Sequence, residues 1–68
     1  MFRVSDLTEL FIETSIQTVA IYDCGKEKEV FRGTIDDIPE DLQSLEVMSI
    51  DNLEKNSDVF TINVDSEN

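Results

Sequence analysis

Read from its start, the chain changes the spacing of its apolar residues element by element. Leu7, Leu10 and Phe11 stand at i, i+3 and i+4, one stripe of a helix, and predict a short helix from Ser5 to Ile12. Ser5 has the hydroxyl of an N-cap, and Asp6 and Glu9 fall where the helix dipole favours negative charge. Glu13-Thr14-Ser15 then interrupts the stripe. From Ile16 to Tyr22 the β-branched content predicts a strand, with Val19 and Ile21 on one face and Ile16, Ala20 and Tyr22 on the other. Apolar residues on both faces predict a central strand. Asp23-Cys24-Gly25-Lys26 reads as a turn with Gly25 in the left-handed conformation, and Glu29 to Ile35 completes a hairpin.

Pro39 suits the first position of a helical turn, with Glu40 and Asp41 beside it, and predicts a second short helix ending near Gln43 or Ser44. A third strand follows from Leu45 to Ile50, a polar loop from Asp51 to Asp58, and a fourth strand from Val59 to Val64. The fourth alternates cleanly: Phe60, Ile62 and Val64 inward, Thr61, Asn63 and Asp65 outward. The order α-β-β-α-β-β predicts a small α+β domain over residues 1–64, its four-stranded antiparallel sheet carrying helix on one face. A strongly curved barrel is the rival topology. Asp65-Ser66-Glu67-Asn68 reads as a frayed polar tail.

With 68 residues, 40% of them hydrophobic, the chain is long enough for one core and no more. A domain of this size buries only about 60% of the surface its unfolded chain exposes. Cys24 is the single cysteine, and there is no His, so a disulfide, a multi-cysteine zinc cage and a His general base are all excluded within the chain. A lone thiol suits a reducing cytoplasm, and no signal peptide or membrane-length apolar run is expected.

Charge changes the picture most. Sixteen acidic residues face five basic ones, a net charge of −11, which argues against nucleic acid as a direct ligand. No basic residue lies between Arg32 and Lys55, a stretch holding Asp36, Asp37, Glu40, Asp41, Glu46, Asp51 and Glu54. One reading is a solvated surface that keeps a small protein soluble. The other is a partner-binding patch of Asp36, Asp37, Glu40, Asp41 and Glu46. Carboxylates spread over a short helix and a strand edge roughly imitate a phosphate backbone and suit a basic groove on another protein.

Other chemistry is thinly represented. Adjacent Asp36 and Asp37 point apart on a strand end and make a poor acid/base couple. Residues 51–58 have calcium-loop ingredients but lack the glycine and the terminal Glu spacing. Lys26 and Lys28 stand near Cys24, but no His activates that thiol. Two glycines, Gly25 and Gly33, make no phosphate-binding loop. These residues predict no catalytic centre, no metal and no cofactor. They leave a binding module or a structural domain assembling through its sheet, with a monomer or weak dimer expected.

The segments Leu7-Thr8-Glu9-Leu10-Phe11, Val19-Ala20-Ile21-Tyr22-Asp23 and Val30-Phe31-Arg32-Gly33-Thr34 carry a resemblance, with Asp37-Ile38-Pro39-Glu40-Asp41-Leu42 and Glu46-Val47-Met48-Ser49-Ile50-Asp51. Over most of its length the chain resembles small uncharacterised acidic proteins of Firmicute phages and mobile elements. The resemblance implies a bacterial cytoplasm and brings no activity with it. It also implies a counter-defence setting, in which acidic inhibitors, some anti-CRISPR proteins among them, occupy nucleic-acid sites as DNA mimics.

Overall fold

A computed structural model describes residues 2–51 and 59–66. A 3₁₀ turn at Val4–Asp6 leads into the helix α1, Leu7–Leu10. The strands are β1, Thr18–Asp23, β2, Lys28–Thr34, β3, Val47–Asp51, and β4, Phe60–Val64. They form one sheet in the order β2-β1-β4-β3. The pairs β1–β2 and β3–β4 are antiparallel as expected, but β1 and β4 lie side by side in parallel, so the sheet is mixed and not purely antiparallel.

Residues 35–46 cause this difference. Parallel strands need a crossover of about a dozen residues, and this stretch supplies it. It also carries Ile35, Ile38, Leu42 and Leu45 at spacings that put them on one side. Laid across the sheet they join the core, where two are buried and two are half-buried. A tight link from β2 to β3 would leave all four in water. Crossing over sends β3 to the far edge and returns β4 to the centre beside β1.

The crossover is not the second helix the sequence suggests. It makes two single 3₁₀ turns, Ile35–Asp37 and Glu40–Leu42, separated at Ile38 and Pro39. A proline ring crowds the residue before it out of the helical region, and Ile38 accordingly has φ −60° and ψ 126°. Pro39 itself is extended and precedes the second turn rather than opening a helix. The first helix is also shorter than expected. Ser5 lies inside the 3₁₀ turn, whose cap is Arg3, and the Arg3 N–H donates to Asp6 Oδ2 at 2.9 Å.

One sheet face is dry. Val19, Ile21, Ile62 and Val64 are buried on it and packed beneath Val4, Leu7, Ile35 and Ile38. In the parallel register Val19 faces Phe60 and Ile21 faces Ile62, so the alternation read for β4 holds, as does the central place of β1. On the other face Ala20, which is buried, and Tyr22 stand among polar side chains. There Asn63 Nδ2 donates to Ser49 Oγ and to Asp51 Oδ2, both at 3.0 Å. A bulge with Val30 as the extra residue brings Glu29 and Arg32 opposite Tyr22 and Ala20, on this same face, where they pair at 2.8 Å. The N-terminal segment closes one edge: the Val47 N–H donates to Phe2 O at 2.8 Å and the Val4 N–H to Leu45 O at 2.9 Å. Among the described residues no helix is long and apolar enough to cross a membrane.

Candidate functional site, an acidic crossover

The crossover sorts its side chains by spacing. Ile35, Ile38, Leu42 and Leu45 turn inward, and Asp36, Asp37, Glu40 and Asp41 are exposed on the outside. Each 3₁₀ turn supplies two adjacent carboxylates. The first turn is braced by Thr34, whose hydroxyl donates to Asp37 Oδ2 at 3.1 Å. The Gln43 amide closes the second by donating to Ile38 O at 3.2 Å. Among the described residues no Lys or Arg pairs with any of these carboxylates.

Glu46 stands apart from this group. It lies at the far end of the crossover, exposed, in an isolated antiparallel bridge with Arg3. The five acidic residues singled out by sequence therefore divide into a run of four and a fifth near a cation. Asp51 is exposed at the end of β3, while Glu54 and the calcium-like stretch that follows Asp51 lie outside the described residues.

Asp41 reaches one further feature. It borders a groove of about 450 Å³ together with Leu42, Lys26, Lys28, Asp23 and Ser66. Asp23 lines this groove and is the one buried charged residue among those described. Its Oδ1 accepts from the N–H groups of Gly25 at 3.0 Å, Lys26 at 3.4 Å and Ser66 at 3.2 Å, and its Oδ2 accepts from the Ser66 hydroxyl. The bond from the Ser66 hydroxyl, opposed by burial and aided by the three N–H bonds, holds this carboxyl below its ordinary value. Asp23 thus acts as a clasp that ties the hairpin turn to the chain just beyond β4.

Sequence reading placed Asp23 only in a turn and Ser66 in a tail, because their contact spans 43 positions and has no local signature. Within the turn, Glu27 at φ 54° takes the left-handed conformation that was expected of Gly25. Cys24 is exposed in the same turn. Comparison with protein-family models, curated proteins and solved structures finds no significant match to this chain.

Proposed function

We propose that the chain is a non-enzymatic binding module whose acidic crossover occupies a basic groove on a partner protein, as a nucleic-acid backbone would. One observation carries the reading: Asp36, Asp37, Glu40 and Asp41 stand exposed and, among the described residues, in no ion pair, on a short segment whose other side is anchored in the core. Charges held in position by such anchoring lose little freedom on docking, so more of their interaction reaches the binding free energy. The same charges speed encounter with a basic partner. Glu46 extends the surface at its far end. The resemblance to acidic phage and mobile-element proteins makes a bacterial nucleic-acid-binding protein, such as a CRISPR effector or another defence protein, the first partner to test.

The experiment is a capture from bacterial lysate with the wild-type chain and with the Asp37→Asn, Glu40→Gln, Asp41→Asn variant, at low and high salt. The wild type is expected to retain nucleic-acid-binding proteins that added DNA or salt displaces, since exposed charges are screened beyond about 8 Å at physiological ionic strength. The variant is expected to lose them. Equal retention by the variant, or binding indifferent to both DNA and salt, would overturn the reading.

A second reading, assembly through the sheet, draws on the outer edge of β2, which carries no neighbouring strand among the described residues. Lys28, Glu29, Arg32 and the bulge at Val30 are features that blunt such an edge, and they favour the first reading.

A further inference from the structure

The acidic crossover does not stand alone on its side of the molecule. The bend that follows α1 lies directly against it: the Asp36 N–H donates to Thr14 O at 3.1 Å and the Ile35 N–H to Gln17 O at 3.3 Å. The end of α1 and this bend expose three large aliphatic side chains, Leu10 at 59%, Ile12 at 97% and Ile16 at 72%. Phe11 between them turns inward and packs against Phe60, with ring centroids 5.6 Å apart. Its inward turn sets the neighbouring Ile12 outward. Scattered exposed aliphatics are ordinary, but several gathered at one bend with a polar rim mark an interaction surface.

Among the described residues the charges around it have one sign. Glu9 belongs to α1, Glu13 to the bend, and Asp36 and Asp37 to the adjoining turn, and all four are exposed. No basic residue lies between Arg3 and Lys26, nor between Arg32 and Lys55. The fold brings these two cation-free stretches together. A second copy of the chain meeting this surface symmetrically would set carboxylates against their own counterparts. Charge therefore selects a different occupant.

We infer that Leu10, Ile12 and Ile16 form the apolar anchor of the binding surface, and that it takes a partner protein presenting apolar side chains ringed by Lys and Arg. This deepens the reading above and rests on it for the sign of the partner's rim. Desolvated apolar side chains at the centre and charges at the edge give affinity and steering respectively.

The test uses two synthetic helical peptides, one with leucines on one face and lysines elsewhere, the other with serines in place of the leucines. Each is titrated into the isotopically labelled chain and followed by amide NMR shifts. The leucine peptide is expected to move residues 9–16 and 35–37, and to bind about tenfold or more tightly than the serine peptide. The Ile12→Ser, Ile16→Ser variant is expected to keep its thermal transition and lose that advantage. Equal binding of the two peptides, or an unchanged variant, would overturn the anchor. A dimer of the free chain that the same variant dissolves would make a second copy the occupant and overturn it as well. The two readings fail separately. Leucine-peptide binding that survives Asp37→Asn, Glu40→Gln, Asp41→Asn but not Ile12→Ser, Ile16→Ser removes the crossover and keeps the anchor, and the reverse pattern does the opposite.

Discussion

Asp23 is the residue whose surroundings differ most from what its neighbours in the sequence suggest. It is a buried carboxylate beside Val64 in the groove lining, and it survives there because four donors reach it. Its folded-state pKa lies below the ordinary value of 3.8. A depressed carboxylate contributes stability above its unfolded pKa and loses that contribution as pH falls through the folded value. The wild type alone is a poor reporter, because protonating the other acids relieves self-repulsion and acts in the opposite direction. The difference between wild type and Asp23→Asn isolates the clasp. Thermal unfolding is expected to show the wild type more stable near neutral pH, with the gap closing as pH falls below the ordinary carboxylate value and through the lowered folded one. A gap independent of pH would mean that the charge on Asp23 does not matter. Ser66→Ala is expected to reproduce part of the loss at neutral pH by removing the hydroxyl donor.

At the scale of elements, α1 tests how strictly this small core sorts its side chains. Leu7 is fully buried and Leu10, three residues on, is mostly exposed, although the sequence places both on one apolar stripe. The helix is a single turn, and the chain leaves it at Phe11, which is extended at φ −106° and ψ 136°. The stripe ends before it can turn Leu10 fully inward. Leu7→Ala is expected to destabilise by about 2–5 kcal/mol. At about 0.05–0.15 kcal/mol per residue that equals much of the whole stability of such a chain, so the variant is expected to be largely unfolded. Leu10→Ala is expected to stay within about 0.5 kcal/mol of wild type. Urea denaturation measures both, and equal losses would mean that both side chains reach the core.

The whole molecule is small against the reach of its own charge. Its extents are 29 × 24 × 19 Å, while the screening length is about 30 Å at 0.01 M salt and about 3 Å at 1 M. At low salt each carboxylate therefore acts on every other. The exposed Arg32–Glu29 pair offsets little of that, since such pairs contribute about 0–1 kcal/mol. Sodium chloride is expected to raise the melting temperature steadily from 0.01 M toward 1 M, followed by circular dichroism. A melting temperature that falls with salt would show ion pairing outweighing repulsion. The crossover and its neighbouring bend account for much of the acidic surface, which is why the charge that weakens the fold is also the feature proposed to bind.

By itself the sequence determined what short-range patterns govern. The alternation of Phe60, Ile62 and Val64, the two antiparallel pairs, the central place of β1 and the exposed acids around Pro39 were all legible, because each depends on a few adjacent residues and their periodicity. The parallel pairing of β1 with β4 was not legible, since it depends on where residues 35–46 bury four aliphatic side chains, and their spacing fits a helix as well as a crossover. The break at Pro39 was half legible: its ring forbids a helix through Ile38, but one turn after it remains compatible with either outcome. The clasp of Asp23 with Ser66 and the meeting of the Leu10–Ile16 bend with Asp36 belong to tertiary structure alone. Contacts between segments far apart leave no period in the chain, and only the packing of one compact core decides which of them are made.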